Sequence, residues 1–264
     1  MRLSSQISLL KEPYLINNIN PARKIINPSL NPGRRVAIVT GGNRGIGYEI
    51  CKDLSRVGCN VVLTSRNEQE GRRAAAKLHH HHDNVVFRRL DVTDSKDISS
   101  FRDWILKIYG RVDILINNAG VYLDEGVSVF DVDENIMHDT LAVNFYGAFH
   151  MCRTFVPIMR QNGYGRIVNV SSGYGAMSEM GGYVAAYRIS KASLNALTLI
   201  MANELRDGNI KVNAVCPGWV RTDMGGGMAP ISPQAAAKDI VHFALVDAKG
   251  PTGGFFRHKK LIQW

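Results

Sequence analysis

The sequence predicts an α/β fold: a doubly wound, mostly parallel seven-stranded sheet in a single domain. Three observations predict it. From Arg35 onward, short apolar runs alternate with helical patterns, the arrangement that right-handed βαβ crossovers require. A glycine-rich turn, Thr40-Gly41-Gly42-Asn43-Arg44-Gly45-Ile46-Gly47, joins the first apolar run, Val36-Ala37-Ile38-Val39, to an amphipathic one. The chain has 264 residues, 45% of them apolar, enough to bury the core of one such domain. No run approaches the roughly 18 uninterrupted apolar residues of a membrane helix, so a soluble body without a membrane span is expected.

The elements follow in order. Residues 1–33 carry Pro13, Pro21, Pro28 and Pro32 with five asparagines. Such a stretch sustains neither continuous helix nor strand, and it reads as an irregular arm ahead of a domain over 34–264. Its opening, Met1 to Lys11, is basic, serine-bearing and acid-poor, as organelle transit peptides are; an uncleaved extension or an early start codon gives the same composition. The expected location is cytoplasmic, or an organelle if the arm is a transit peptide. Of the net charge of +9, five units fall before Val36. The remainder is near balance and lacks aromatic–basic interleaving, so nucleic acid is not an expected partner.

Strands are expected over 36–39, 61–64, 85–87, 114–117, 167–170 and 211–215, with a short seventh over 254–257. Helices are expected over 46–57, 68–78, 96–109, 134–160, 185–207 and 233–246. In the glycine turn, Gly41, Gly45 and Gly47 allow a tight bend that brings backbone N–H groups and a helix N-terminus close to a phosphate, although a plain strand-to-helix connection can look the same. The second strand ends in Leu63-Thr64-Ser65-Arg66, where an acid would accept from a ribose 2′-hydroxyl. Ser65 and Arg66 stand there instead, and Arg44 lies in the glycine turn beside the same pocket. Guanidinium forks suit a 2′-phosphate, which predicts NADP(H) as the cofactor.

Two further segments fall at carboxyl ends of strands, the edge where open α/β sheets bind ligands. In Leu90-Asp91-Val92-Thr93, Asp91 could accept from an adenine amino group with Val92 beside it. In Asn117-Asn118-Ala119-Gly120, small residues could pack against a cofactor. Either segment could equally be a helix cap or a turn.

The chemistry is expected between residues 144 and 191. Tyr187 and Lys191 are four apart at the start of a helix, hence on one face. A phenol is a poor acid–base catalyst at neutral pH, and a nearby ammonium favours its ionised form, the role expected of Lys191. Ser172, at the end of a strand, could donate to a carbonyl oxygen while Tyr187 delivers a proton to it. Asn144 is a polar residue in an apolar stretch that needs a partner if buried.

Taken together, these motifs resemble the short-chain dehydrogenase/reductase family from about Arg35 to the chain end, with Pro217-Gly218-Trp219-Val220-Arg221-Thr222 as a further match. The resemblance implies a Rossmann-type sheet and an Asn144–Ser172–Tyr187–Lys191 tetrad. In it Tyr187 is the general acid, Ser172 the substrate anchor, Lys191 the residue that lowers the tyrosine pKa and binds the ribose, and Asn144 the holder of a proton-relay water. Asn43, Ile46 and Pro217 to Thr222 would complete the cofactor site, with Val220 and Thr222 at the nicotinamide end. Within the family, Leu63 to Arg66, Cys216 to Met224 and the tail from Gly250 resemble the NADPH-dependent carbonyl reductases. The monomeric animal members of that group carry a long insertion between serine and tyrosine. Here Ser172 and Tyr187 are separated by a short loop, which favours a homodimer or homotetramer. The implied substrate is a small carbonyl compound or alcohol. A 3-oxoacyl-thioester reductase, a hydroxysteroid or terpenoid alcohol dehydrogenase, and a non-catalytic NADP(H) sensor or scaffold remain open.

The other features read plainly. Cys51, Cys59, Cys152 and Cys216 have no metal-ligand spacing and are expected as reduced thiols. His79 to His82 reads as a solvated loop rather than a metal site. Residues 224–231, with three successive glycines, suit a lid or an ordinary glycine loop.

Overall fold

The computed structural model describes residues 33–264. All but the last residue of the expected N-terminal arm, and with it the transit-peptide expectation, lies outside the described residues. The strands are β1 (Val36–Val39), β2 (Asn60–Ser65), β3 (Val85–Arg89), β4 (Ile114–Asn117), β5 (Gly165–Val170), β6 (Ile210–Cys216), β7 (Phe255–Arg257) and β8 (Lys260–Leu261). The helices are α1 (Gly45–Arg56), α2 (Glu68–His79), α3 (Ser95–Tyr109), α4 (Glu134–Leu141), α5 (Ala148–Gln161), α6 (Ala185–Glu204) and α7 (Pro233–Ala244).

They form one sheet in the order β3-β2-β1-β4-β5-β6-β7-β8, parallel throughout except for β8. The order reverses between β1 and β4, which opens a crevice at the carboxyl edge. Alternate residues of β1 face opposite layers. Ala37 and Val39 join Ile50 and Leu54 of α1, Leu78 of α2 and Ile240 of α7. Ile38 joins Phe101 and Ile105 of α3 with Met151 and Phe155 of α5. Because both faces are covered, the central strands are apolar on both sides rather than alternating.

Two expectations are corrected. The sheet has eight strands, not seven. The eighth is a two-residue antiparallel hairpin return, turned by His258 and Lys259 at φ +50° and +60°. Both of its residues are exposed, so no apolar pattern announces it. The single helix expected over 134–160 is interrupted by a π-helical turn, Ala142–Gly147, between α4 and α5. Such turns are rare and collect at functional sites. This one carries Asn144. Its Gly147 packs so closely on Val92 that an added Cβ would lie 2.7 Å from Val92 Cγ2.

Candidate active site

At the carboxyl edge lies a cleft of about 560 Å³. Its walls include Gly41, Asn43, Arg44, Gly45, Ile46 and Gly47 of the glycine turn, Arg66 after β2, and Asp91 and Val92 after β3. They continue through Asn118, Ala119 and Gly120 after β4, Tyr187 and Lys191 on α6, and Pro217 and Thr222 after β6. Of the residues the sequence assigns to a cofactor, Gly218 and Val220 stand behind this surface. Gly218 turns the chain at φ +76°, and buried Val220 bridges Ile231.

Close approach shapes the glycine turn. Gly41 and Gly45 have φ of +63° and +54°, and a Cβ on Gly47 would lie 2.3 Å from Gly41 O. Thr40 Oγ1 accepts from the amides of Asn118 and Ala119, both at 3.0 Å, and Asn118 Nδ2 donates to Thr40 O at 2.8 Å. These bonds lock β1 to the turn after β4. Helix α1 then begins at Arg44 with no side-chain cap and no acid in its first turn, which leaves its amides and positive dipole end available to an anion. Arg44 donates to Asp223 Oδ2 at 2.8 Å across the cleft mouth, and Asn43 donates to Glu70 Oε2 at 2.8 Å. Arg66 is exposed at the end of β2. Burial pushes the Asp91 carboxyl up, but hydrogen bonds from the amide and hydroxyl of Thr93, with the charges of Arg66 and Arg89, hold it below its ordinary value.

At the other end of the cleft, buried polar side chains tie α6 to the sheet. Asn117 donates to Asn169 Oδ1 and Asn169 to Thr198 Oγ1, each at 2.8 Å. Ser171 donates to Asn195 Oδ1 at 2.6 Å, and Asn195 donates to Gly175 O at 3.0 Å. Gly175 lies against α6 with room for no side chain: an added Cβ would sit 2.7 Å from that of Lys191. This frame fixes Tyr187 and Lys191 near Ser172, whose hydroxyl accepts from Tyr174 N at 3.2 Å and lies close enough to the phenol to pull its pKa down. Lys191 Nζ donates to Val170 O at 2.9 Å and lies 5.7 Å from the centre of the Tyr187 ring.

The electrostatics depart from the expected lowering of the phenol. Burial pushes Tyr187 up to about 12, against the opposing pull of the Ser172 hydroxyl. Lys191 is itself pushed down to about 8 by burial. Desolvation is the largest cause of both shifts. Asn144 is buried in the π turn. Its Oδ1 accepts from Val121 N at 2.8 Å, and its two amide hydrogens go to Val121 O at 2.9 Å and Ser190 Oγ at 3.0 Å. The side chain pins the β4 loop to α6.

Several residues at the site had not been assigned a role from sequence. Tyr122 and Tyr174 flank Tyr187 edge-on, with ring centres 4.8 and 6.2 Å away. The Arg188 guanidinium lies 4.2 Å over Tyr174. Asp124 is fully buried, and its Oδ2 accepts from Ala186 N at 2.7 Å. Polar letters inside apolar runs signalled Asn117, Asn169 and Asn195; nothing local signalled the tyrosine pairings. The histidine run straddles the end of α2, with the His80 and His81 rings 5.0 Å apart.

Known proteins are similar to this chain in sequence and in overall fold. A family model described as short chain dehydrogenase matches residues 35–230. The chain is 34% identical to a cattle (Bos taurus) protein named carbonyl reductase [NADPH] 1, over 87% of this chain and 98% of that one. It is 31% identical to (+)-neomenthol dehydrogenase of Capsicum annuum, over 86% and 96%. The structure of an NADPH-bound carbonyl reductase from chicken fatty liver matches with a TM-score of 0.79 at 28% identity, covering 88% of this chain and 99% of that one. Since the matched family model spans the glycine turn, the β4 turn and the Tyr187–Lys191 helix alike, the chain belongs to the short chain dehydrogenase family.

Proposed function

We propose that this chain reduces a ketone or aldehyde to an alcohol with NADPH, with Tyr187 as the general acid. The observation that carries the reading is the Tyr187 phenol at the carboxyl edge of the sheet, with the Ser172 hydroxyl beside it and the buried Lys191 ammonium 5.7 Å from the ring centre.

The cradle fits NADP(H). The missing Cβ atoms of Gly41, Gly45 and Gly47 let the turn close tightly on the β4 turn and on Thr222, and the uncapped start of α1 beside it would take a pyrophosphate. Arg44 and Arg66 would hold a 2′-phosphate, Asp91 and Val92 the adenine, and Asn118 to Gly120 the middle of the molecule. Lys191 and Tyr187 would meet the nicotinamide ribose and Pro217 and Thr222 the nicotinamide end, with Gly218 and Val220 shaping their segment from behind. When bound, the reduced nicotinamide supplies a hydride to the carbonyl carbon.

The protein's own part is to receive the charge that develops on the carbonyl oxygen. Ser172 and Tyr187 aim two donors at that oxygen. A phenol pushed up to about 12 keeps its proton at neutral pH, as an acid must before it transfers. Lys191, pushed down to about 8, is still charged there and stabilises the phenolate left after transfer. Exposed Ile189, Leu199 and Ile200 on α6, with Tyr146 in the π turn, support self-association as a homodimer or homotetramer.

The test is NADPH oxidation by wild type and Tyr187→Phe across aldehydes, quinones, diketones, steroids, terpenoid ketones and 3-oxoacyl thioesters, with NADH in parallel. Wild type is expected to turn over at least one class and to prefer NADPH. Tyr187→Phe is expected to lose at least about 100-fold in kcat while still binding NADPH. Near-normal turnover by Tyr187→Phe overturns the assignment. The neomenthol dehydrogenase relative puts terpenoid ketones in the panel as a specific second reading.

A further inference from the structure

Helix α6 is capped by a carboxylate from another part of the chain. Helices α2, α3, α4 and α7 are each capped by the side chain immediately before them: Asn67, Asp94, Asp133 and Ser232. Before α6 that position is held by Val184, which has no side-chain cap. Val184 and Tyr183 lie at φ +51° and +57°, in the left-handed region where a β-branched residue is strained. The cap comes instead from Asp124, in the loop after β4, 62 residues from its partner. Its Oδ2 accepts from Ala186 N at 2.7 Å and from Tyr187 N at 3.4 Å. The same loop accepts the Val184 amide at Val127 O, 2.9 Å away.

This arrangement is costly in two ways. Asp124 is fully buried, and its second oxygen, Oδ1, has no hydrogen-bond partner. A buried acceptor left unpaired destabilises the fold, as does a strained backbone, and both fall within four residues of Tyr187 in space or sequence. Folding alone offers a cheaper solution, the local Ser, Asp or Asn cap used by the other helices.

We propose that Asp124 is a positioning residue for the general acid. Its carboxylate fixes the first turn of α6, and through it the register of the Tyr187 phenol against Ser172 and Lys191. It also joins the loop that carries Tyr122, on one side of the phenol, to the helix that carries the phenol itself. The inference rests on the reading of Tyr187 as the acid.

The experiment compares Asp124→Asn and Asp124→Ala with wild type by kcat, KM, NADPH affinity and amide exchange at residues 184–190. Asn keeps an acceptor for the helix amides without the charge; Ala removes both. The expected kcat order is wild type, then Asn, then Ala. The Asn variant should lose about threefold to tenfold and the Ala variant up to about 100-fold, with NADPH affinity held within about twofold. Exchange of the Ala186 and Tyr187 amides should quicken in the same order. Faster exchange with kcat unchanged overturns the proposal, as does a loss of kcat matched by an equal loss of NADPH affinity, the mark of a general structural role. If the Ala variant fails to fold, the Asn variant alone carries the same comparison. Near-normal turnover by Tyr187→Phe brings down the underlying mechanism; an inert Tyr187→Phe beside an unaffected Asp124→Ala removes Asp124 alone.

Discussion

The two helices that meet the cleft begin in opposite ways. Helix α1 starts at Arg44 with no cap and no acid in its first turn, so its amides face the cleft without an internal partner. The amides of α6 are taken by Asp124, a buried carboxylate brought from the β4 loop. The surrounding charges differ in the same sense. Arg44 and Asp223 pair in solvent, with side chains 69% and 76% exposed, whereas Asp124 and Lys191 are buried. One end of the cleft is left open, as the proposed anion site requires; the other is closed around Tyr187, as the proposed proton donor requires.

The comparison breaks most sharply at Gly47. A Cβ there would lie 2.3 Å from Gly41 O and 2.5 Å from Asn118 Nδ2, contacts that no backbone of this turn can absorb in place. Gly47→Ala should therefore displace the α1 N-terminus from the turn after β4 and weaken NADPH binding by about 100-fold, with a drop in thermal stability. Fluorescence titration and thermal unfolding read both. Wild-type affinity in the alanine variant would mean that the open end does not depend on this close approach.

The closed end is sharpened by pH. Burial lowers Lys191 from 10.5 to about 8, so between these values the unfolded chain binds a proton that the folded one does not. Stability from this group therefore rises with pH across that window and is lost as pH falls through it. The contribution is roughly 3 kcal/mol for a shift of this size. Lys191→Met removes the titration, so denaturant unfolding at pH 8 and 10.5 should show wild type gaining that amount relative to the variant. Curves that run parallel would place the ammonium in water, contrary to a preorganised end.

This contrast also explains what was legible from sequence. The open end is written in local code: glycines need no partner to be recognised, and apolar runs flanking them fix the strand and helix. Tyr187 and Lys191 show equally well, since a spacing of four places them on one helical face. What holds them does not show. Asp124 acts across 62 residues, and its immediate neighbours carry no sign of the helix it caps. Tyr122 and Tyr174 become neighbours of Tyr187 only when the loops after β4 and β5 converge. Nothing in the letters of 142–147 marks a π turn, and β8 depends on a turn through His258 and Lys259 that lacks glycine. Local propensity reports elements; the tertiary partners that aim a side chain are set by the topology.

The smallest effect concerns the exposed pair at the open end. Arg44 is expected to face the 2′-phosphate, yet in this structure its Nη1 donates to Asp223 Oδ2 at 2.8 Å. A pair so exposed contributes no more than about 1 kcal/mol, so it hinders phosphate binding only slightly. Asp223→Asn removes the competing charge and leaves Arg44 free, which should tighten NADPH by up to about fivefold at low salt and less at high salt. NADH has no 2′-phosphate, so its affinity should stay as it is. An equal gain for both cofactors would assign the effect to the 223–231 segment rather than to Arg44. A gain confined to NADPH would place Arg44 on the 2′-phosphate and show that the open end is held partly closed by a charge of the protein's own.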